Sequence, residues 1–240
     1  IISTAWSGAD PERKGFVLPE WGLCLDGDDP LDPAYLRVGR AWSDGLPDMP
    51  VTLYDRGTSI TALPGTEVVA EIVAPYFNRH WDGEHGHVYL PPDKPAGRPA
   101  VTIRGSVAHA SHPLFTSYYQ HAQVPMRQLI SNLLRRLLPD PMLRTDGLPS
   151  FARAMVTAQP ARRMVHLLAY VPERRGAATD MIEEPIAISG ASVGLRVGDN
   201  PPKRVYLAPS EETLLCELDG QYARVAVPPF HGHALIVFEW

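Results

Sequence analysis

Cysteine is scarce in this 240-residue chain: there are only two, Cys24 and Cys216, far apart in sequence and in no C-x-x-C pair. That excludes a disulfide framework and a thiolate zinc site, and makes a reducing compartment, the cytoplasm, the expectation. No apolar run approaches the roughly 18 residues of a membrane span, and no secretory leader is read at the start. Basic excess is also missing. A net charge of -5 argues against a nucleic-acid partner, which calls for a basic face. There are no internal repeats and no low-complexity tail, and neither a cofactor nor a resident metal is expected.

What is present suffices for a real core: 45% of residues are hydrophobic, in a length that suits one large domain or two ordinary ones. The chain opens Ile1-Ile2-Ser3-Thr4, without methionine, as a strand already under way. From Trp6 to about Pro50 helical periodicity is nearly absent. Loop-like Pro, Gly and Asp dominate, as in Asp26-Gly-Asp-Asp-Pro-Leu-Asp-Pro33. The expectation is the later part of a longer polypeptide, with an irregular but complete domain as the alternative.

Residues 51–60 and 66–73 read as strands, and 101–104 with 106–109 as a hairpin turning at Gly105. A helix is expected from Pro125 to Leu138. Its apolar positions Met126, Leu129, Ile130, Leu133, Leu134, Leu137 and Leu138 recur at three and four residues, with Arg127, Asn132, Arg135 and Arg136 on the other face. Pro139 and Pro141 stop it. Beyond about Pro149 seven short alternating runs follow: 153–158, 164–170, 192–197, 204–208, 213–218, 222–227 and 234–239. Turn residues separate them, which predicts a β-sandwich. The fold class is therefore α/β plus all-β, dividing near residue 145.

Six of the nine histidines fall between His80 and His121. Three crowd the stretch Pro75-Tyr-Phe-Asn-Arg-His-Trp-Asp-Gly-Glu-His-Gly-His87. Planar donors and acceptors beside an indole suit a polyhydroxylated ligand. His85-x-His87 with His80 or Glu84 would suit a metal, and a subunit contact is the third option. Nucleophile chemistry finds no elbow: Cys24 has no helix after it, Ser7 lacks a preceding glycine, and Cys216 lies within a strand. Glu20, Glu71 and Glu84 are carboxylates whose spacing selects no acid–base pair. Trp6, Trp21, Trp42 and Trp81 suit either sugar stacking or buried anchoring. His166, His231 and His233 sit in or beside strands, where structural roles are expected.

The runs Val69-Ala-Glu-Ile-Val-Ala-Pro-Tyr-Phe-Asn-Arg79, His112-Pro-Leu-Phe115, Tyr118 and His121, with the intervening His-rich loop, resemble a group of glycoside hydrolases similar to family-42 β-galactosidases. The runs Arg163-Met-Val-His-Leu-Leu-Ala-Tyr170, Lys203-Arg-Val-Tyr-Leu-Ala-Pro209 and Gly232-His-Ala-Leu-Ile-Val-Phe-Glu239 resemble the C-terminal sandwich of the same proteins. The loop departs from the family in carrying Trp81-Asp-Gly-Glu84 where a Phe and a Ser are expected. The resemblance implies residues 1–145 as a partial flavodoxin-like (class I glutamine amidotransferase-like) domain of the trimerisation type, and 146–240 as a C-terminal β-sandwich. It implies a homotrimer, and a catalytic (β/α)8 barrel that this sequence does not show. No catalytic residue is assigned. The carbohydrate candidates are Asn78, Arg79, His80, Trp81, His85, His87, Tyr118 and His121. A free-standing carbohydrate-binding protein is the alternative.

Overall fold

The computed structural model describes residues 1–79, 84, 86 and 90–240. The chain is mostly β-strand and separates into two compact units, Ile1–Pro139 and Asp140–Trp240. In the first, the strands are β1 (Ile2–Thr4), β2 (Leu23–Asp28), β3 (Ala34–Val38), β4 (Val51–Leu53), β5 (Thr58–Ala62), β6 (Glu67–Pro75), β7 (Pro92–Arg104) and β8 (Val107–Ala110). The helices are α1 (Leu114–His121) and α2 (Val124–Leu137).

Six of these strands form one sheet in the order β1-β8-β7-β6-β3-β4. Only β1 and β8 run parallel; the other neighbours are antiparallel. β7 turns into β8 through Gly105 and Ser106, as its sequence predicts. The β6–β7 ladder breaks register at four places, and such bulges bend and twist a sheet. The sheet curls accordingly.

The alternation along β7 and β8 builds three layers. Val101, Ile103, Ala108 and Ala110 face one core, shared with Leu114 of α1 and with Met126, Leu129 and Leu133 of α2. Met126, Leu129, Ile130 and Leu133 of the periodic stripe form the face that α2 buries, whereas Leu134 and Leu138, expected in the same stripe, are exposed. Asn132, expected on the polar side, is buried instead. Its side-chain amide donates to the carbonyls of Trp42 and Asp44, holding the 3-10 turn Arg40–Trp42 against the helix. On the other side of the sheet lies the two-stranded ribbon β2–β5, whose Leu23 and Ile60 pack with Trp21 and with Val107 of β8.

His109 projects into that second layer. It lies 4.9 Å from the Phe16 ring and 5.6 Å from Trp21, with its Nδ1 2.6 Å from Ser3 Oγ. Trp21 is thus a buried anchor. β2 and β3 occupy the stretch expected to be loop. Asp26 and Gly27 are accommodated by a register shift between Leu25 and Gly27, and the Asp and Pro residues of 29–33 form the loop between β2 and β3. α1 is a further helix that the sequence reading does not anticipate.

The second unit contains β9 (Leu143–Asp146), β10 (Arg153–Gln159), β11 (Arg162–Ala169), β12 (Glu173–Arg174), β13 (Asp180–Met181), β14 (Ala187–Ile188), β15 (Ser192–Arg196), β16 (Arg204–Ala208), β17 (Glu212–Thr213), β18 (Cys216–Asp219), β19 (Tyr222–Ala226) and β20 (Phe230–Glu239). One sheet runs β10-β11-β20-β16-β17, with β14 also on β20; another runs β18-β19-β15-β9. Val165, Leu167, Val205, Ile236 and Phe238 of the first share a core with Val193, Leu195, Ala223 and Val225 of the second. This is the two-sheet packing that period-two alternation predicts. The run expected as one strand at 213–218 divides into β17 and β18, which serve different sheets. Among the described residues no helix is long and apolar enough to cross a membrane.

Leu133 is fully buried, so Leu133→Ala leaves a cavity between α2 and the sheet and should destabilise the first unit by about 3 kcal/mol. Denaturant titration followed by tryptophan fluorescence reads this, because four of the five tryptophans lie in that unit. A loss under 1 kcal/mol would contradict the packing.

Burial pushes both His109 and His112 down to about 4, while the unfolded chain keeps an ordinary value near 6.5. Between these values the unfolded state binds more protons. Stability is therefore fully present above about pH 6.5 and is lost as pH falls towards 4, by up to about 3 kcal/mol per histidine. Thermal melts at pH 7.5, 6 and 5 should show a steadily falling midpoint; a flat profile would refute the assignment.

Candidate functional site

The loop after β2 begins at Asp29, which is almost fully buried. Its Oδ1 accepts from Arg98 Nη2 at 2.9 Å and from the Leu31 amide at 2.9 Å. Its Oδ2 faces His112 Nε2 at 3.8 Å, and His112 Nδ1 lies 2.9 Å from Ser111 Oγ. Arg98 also donates to Ser59 Oγ. Gly57 packs so closely here that a Cβ would stand 2.5 Å from both His112 Cγ and the Ser111 carbonyl oxygen. No side chain fits at that position.

This buried cluster places Asp32, three residues on, at the surface. The Asp32 carbonyl accepts from the Arg79 amide at 2.6 Å, and its carboxylate lies 3.5 Å from Arg56 and 3.9 Å from Arg79. Asn78 clamps the same loop. Its amide donates to the Pro30 carbonyl, and its Oδ1 accepts from the Asp32 amide. One residue before Arg56, Asp55 accepts from Ser117 Oγ and lies 3.4 Å from His121 Nε2. The preceding Tyr54 sets its ring 5.1 Å from His121. Residues 54–56 therefore connect Asn78 and Arg79 to His121 across the strand ends.

Between them is a groove of about 450 Å³ lined by Pro33, Tyr35, Thr52, Tyr54, Arg79, Leu90 and Pro91. The Tyr35 hydroxyl donates to the Leu90 carbonyl, and burial raises its phenol above the ordinary value. Tyr54 is 58% exposed, and Tyr76, Phe77, Phe115, Tyr118 and Tyr119 are exposed too. Aromatic faces beside a guanidinium and hydroxyls suit a hydroxylated ring. Asp32 and Asp55 commit their oxygens to cations and hydroxyls, which fits positioning better than proton transfer.

Of the candidate residues, the structure brings Asn78, Arg79 and His121 to this rim. Tyr118 is exposed on α1, one turn before His121. His80, Trp81, His85 and His87 lie outside the described residues, as does the possible His85-x-His87 metal pair. Asp29, Asp32, Tyr54, Asp55, Arg56 and Arg98 were missed. The signal for Asp29 and Asp32 was the Asp-rich run at 26–33, which reads as a loop; the other four carry none. Cys24 is exposed on β2, and Cys216 has its thiol pushed up by burial and by Glu217, which lowers its nucleophilicity. Among the described residues no group of three or more His, Cys, Asp or Glu gathers in a way that could hold a metal.

A second depression, lined by Trp42, Asp44, Glu67, Asn132, Arg135 and Arg136 among others, is largely self-satisfied. Trp42 Nε1 donates to Glu67, and Arg135 pairs with Asp44.

No protein-family model and no curated protein sequence matches the chain. Solved structures do. The whole chain superposes on the α-L-fucosidase isoenzyme 2 of Paenibacillus thiaminolyticus with a TM-score of 0.88 at 26% identity, over 36% of that protein. It also matches a β-galactosidase from Rahnella sp. R3 and the E323A mutant of a GH42 β-galactosidase from G. stearothermophilus, each with a TM-score of 0.53 at 14% identity over 28% of that chain. The latter two are likenesses of fold. The chain spans about a third of the length of these glycoside hydrolases and resembles a portion of them.

Proposed function

We propose that this chain is a non-catalytic C-terminal region of a larger glycoside hydrolase acting on L-fucosides, with a β-galactosidase-like domain plan. The observation that carries this is the full-length superposition on a fucosidase at 0.88 and 26% identity. In this reading, residues 1–145 are the later part of a flavodoxin-like, amidotransferase-like domain whose role is trimerisation, and 146–240 are the closing β-sandwich. A (β/α)8 barrel supplies the acid and base, and the protein works in the cytoplasm as a homotrimer.

The Asn78–His87 loop then faces the sugar site of a barrel, its own or a neighbour's. Two features support that role. Asn78 and Arg79, the residues that lead into the His-rich run, are hydrogen-bonded to the loop at Pro30 and Asp32. The exposed aromatics beside it would cost less covered than left in water.

Light scattering on a sizing column, with turnover assays, tests the reading. The expected result is a species near three times 26.4 kDa that hydrolyses neither nitrophenyl α-L-fucoside nor β-galactoside. Turnover by the pure chain would sink the non-catalytic assignment, and a monomer at every concentration would sink the trimerisation role. Saturable heat with free L-fucose would instead favour a free-standing carbohydrate-binding protein.

A further inference from the structure

The outward face of the β10-β11-β20 sheet carries a histidine pair that the proposed function does not use. In β11, Val165, Leu167 and Ala169 point into the core; in β20, Ala234, Ile236 and Phe238 do so. His166 and His233 therefore project outwards. The ladder sets His166 opposite Leu235 and Leu168 opposite His233, which makes the two histidines diagonal neighbours on one face. His166 Nδ1 and His233 Nε2 are 3.4 Å apart, with ring planes within 13° of parallel. The remaining nitrogen of His166, Nε2, is 3.2 Å from Thr157 Oγ1. The residues directly across the ladder are uncharged: Met155 and Leu235 for His166, Leu168 for His233.

Two imidazole nitrogens facing across such a gap repel unless a proton or a cation lies between them. A tetrahedral ion bonded to two nitrogens at about 2.1 Å holds them about 3.4 Å apart, the separation found here. We propose that His166 and His233 form a binding site for a divalent transition ion of the zinc type, His166 ligating through Nδ1 and His233 through Nε2. Water completes the shell. Thr157 accepts the Nε2–H of His166, which fixes the tautomer that leaves the lone pair on Nδ1. Both ligands stand on paired strands, so ring rotation rather than backbone movement closes the site. Imidazole donors without a carboxylate select zinc-like ions over magnesium or calcium.

The histidines from His80 to His87 offer zinc a competing place, so the test uses the full chain with His80, His85 and His87 replaced by alanine. Calorimetry with zinc chloride at pH 7.5 should show one saturable site per chain, and cobalt(II) should give the visible absorption of a near-tetrahedral centre. His166→Ala and His233→Ala should each weaken zinc at least tenfold and abolish the cobalt band. His231→Ala should leave both unchanged. Thr157→Val, which keeps both ligands, should weaken zinc a few-fold. Absence of a saturable site in the loop variant would overturn the proposal. So would zinc binding that survives His166→Ala and His233→Ala intact, with circular dichroism confirming that both variants are folded.

Discussion

The Asp29–Arg98 ion pair is the contact on which the organisation of the first unit turns. Asp29 is almost fully buried and Arg98 mostly so. A buried carboxylate without its cation is costly, on the order of 3–5 kcal/mol when one partner is removed. The pair therefore forces the loop after β2 onto β7, and His112 and Gly57 close over it. Once Asp29 is set, the covalent reach of three residues delivers Asp32 to the surface. Asp32 in turn gathers Arg56, Arg79 and Asn78. The groove rim is a surface consequence of a buried electrostatic constraint.

Two pairs of histidines are used in opposite ways. His109 and His112 are buried, held neutral by desolvation, and contribute packing and hydrogen bonds to the sheet layers. His166 and His233 stand on an outward sheet face with nitrogens turned towards each other. Residue type alone does not separate these roles; exposure and the identity of the second partner do. A hydroxyl against a buried ring satisfies it in place, as Ser3 does for His109. A hydroxyl behind an exposed pair, as Thr157 is for His166, orients it towards whatever lies in front.

Legibility in the sequence followed the range of the interactions. The spacing in 126–137 announced α2, and the outward Arg135 and Arg136 were read correctly. Asn132 was not, because its role depends on carbonyls some ninety residues earlier. Alternation in 153–158, 164–170, 192–197, 204–208, 222–227 and 234–239 announced strands, and Gly105 announced the hairpin. α1 escaped because eight residues rich in aromatics and polar side chains, entered through Pro113, show no long apolar stripe. β2 escaped because Asp26, Gly27 and Asp28 interrupt its apolar residues, and β3 because it is short and follows the Asp- and Pro-rich segment 29–33, while the ladders that hold both are tertiary.

The sequence by itself determined which segments are periodic and, at most positions, which side of them faces a core. These properties are local, set by side-chain spacing along helix and strand. Only the tertiary structure decided which distant groups meet: Asp29 with Arg98 and His112, Asp32 with Arg56 and Arg79, Asp55 with Ser117 and His121, His166 with His233. The physical reason is that a charge or a ring finds its partner through sheet register and buried desolvation cost, and neither is written in the spacing of neighbouring residues.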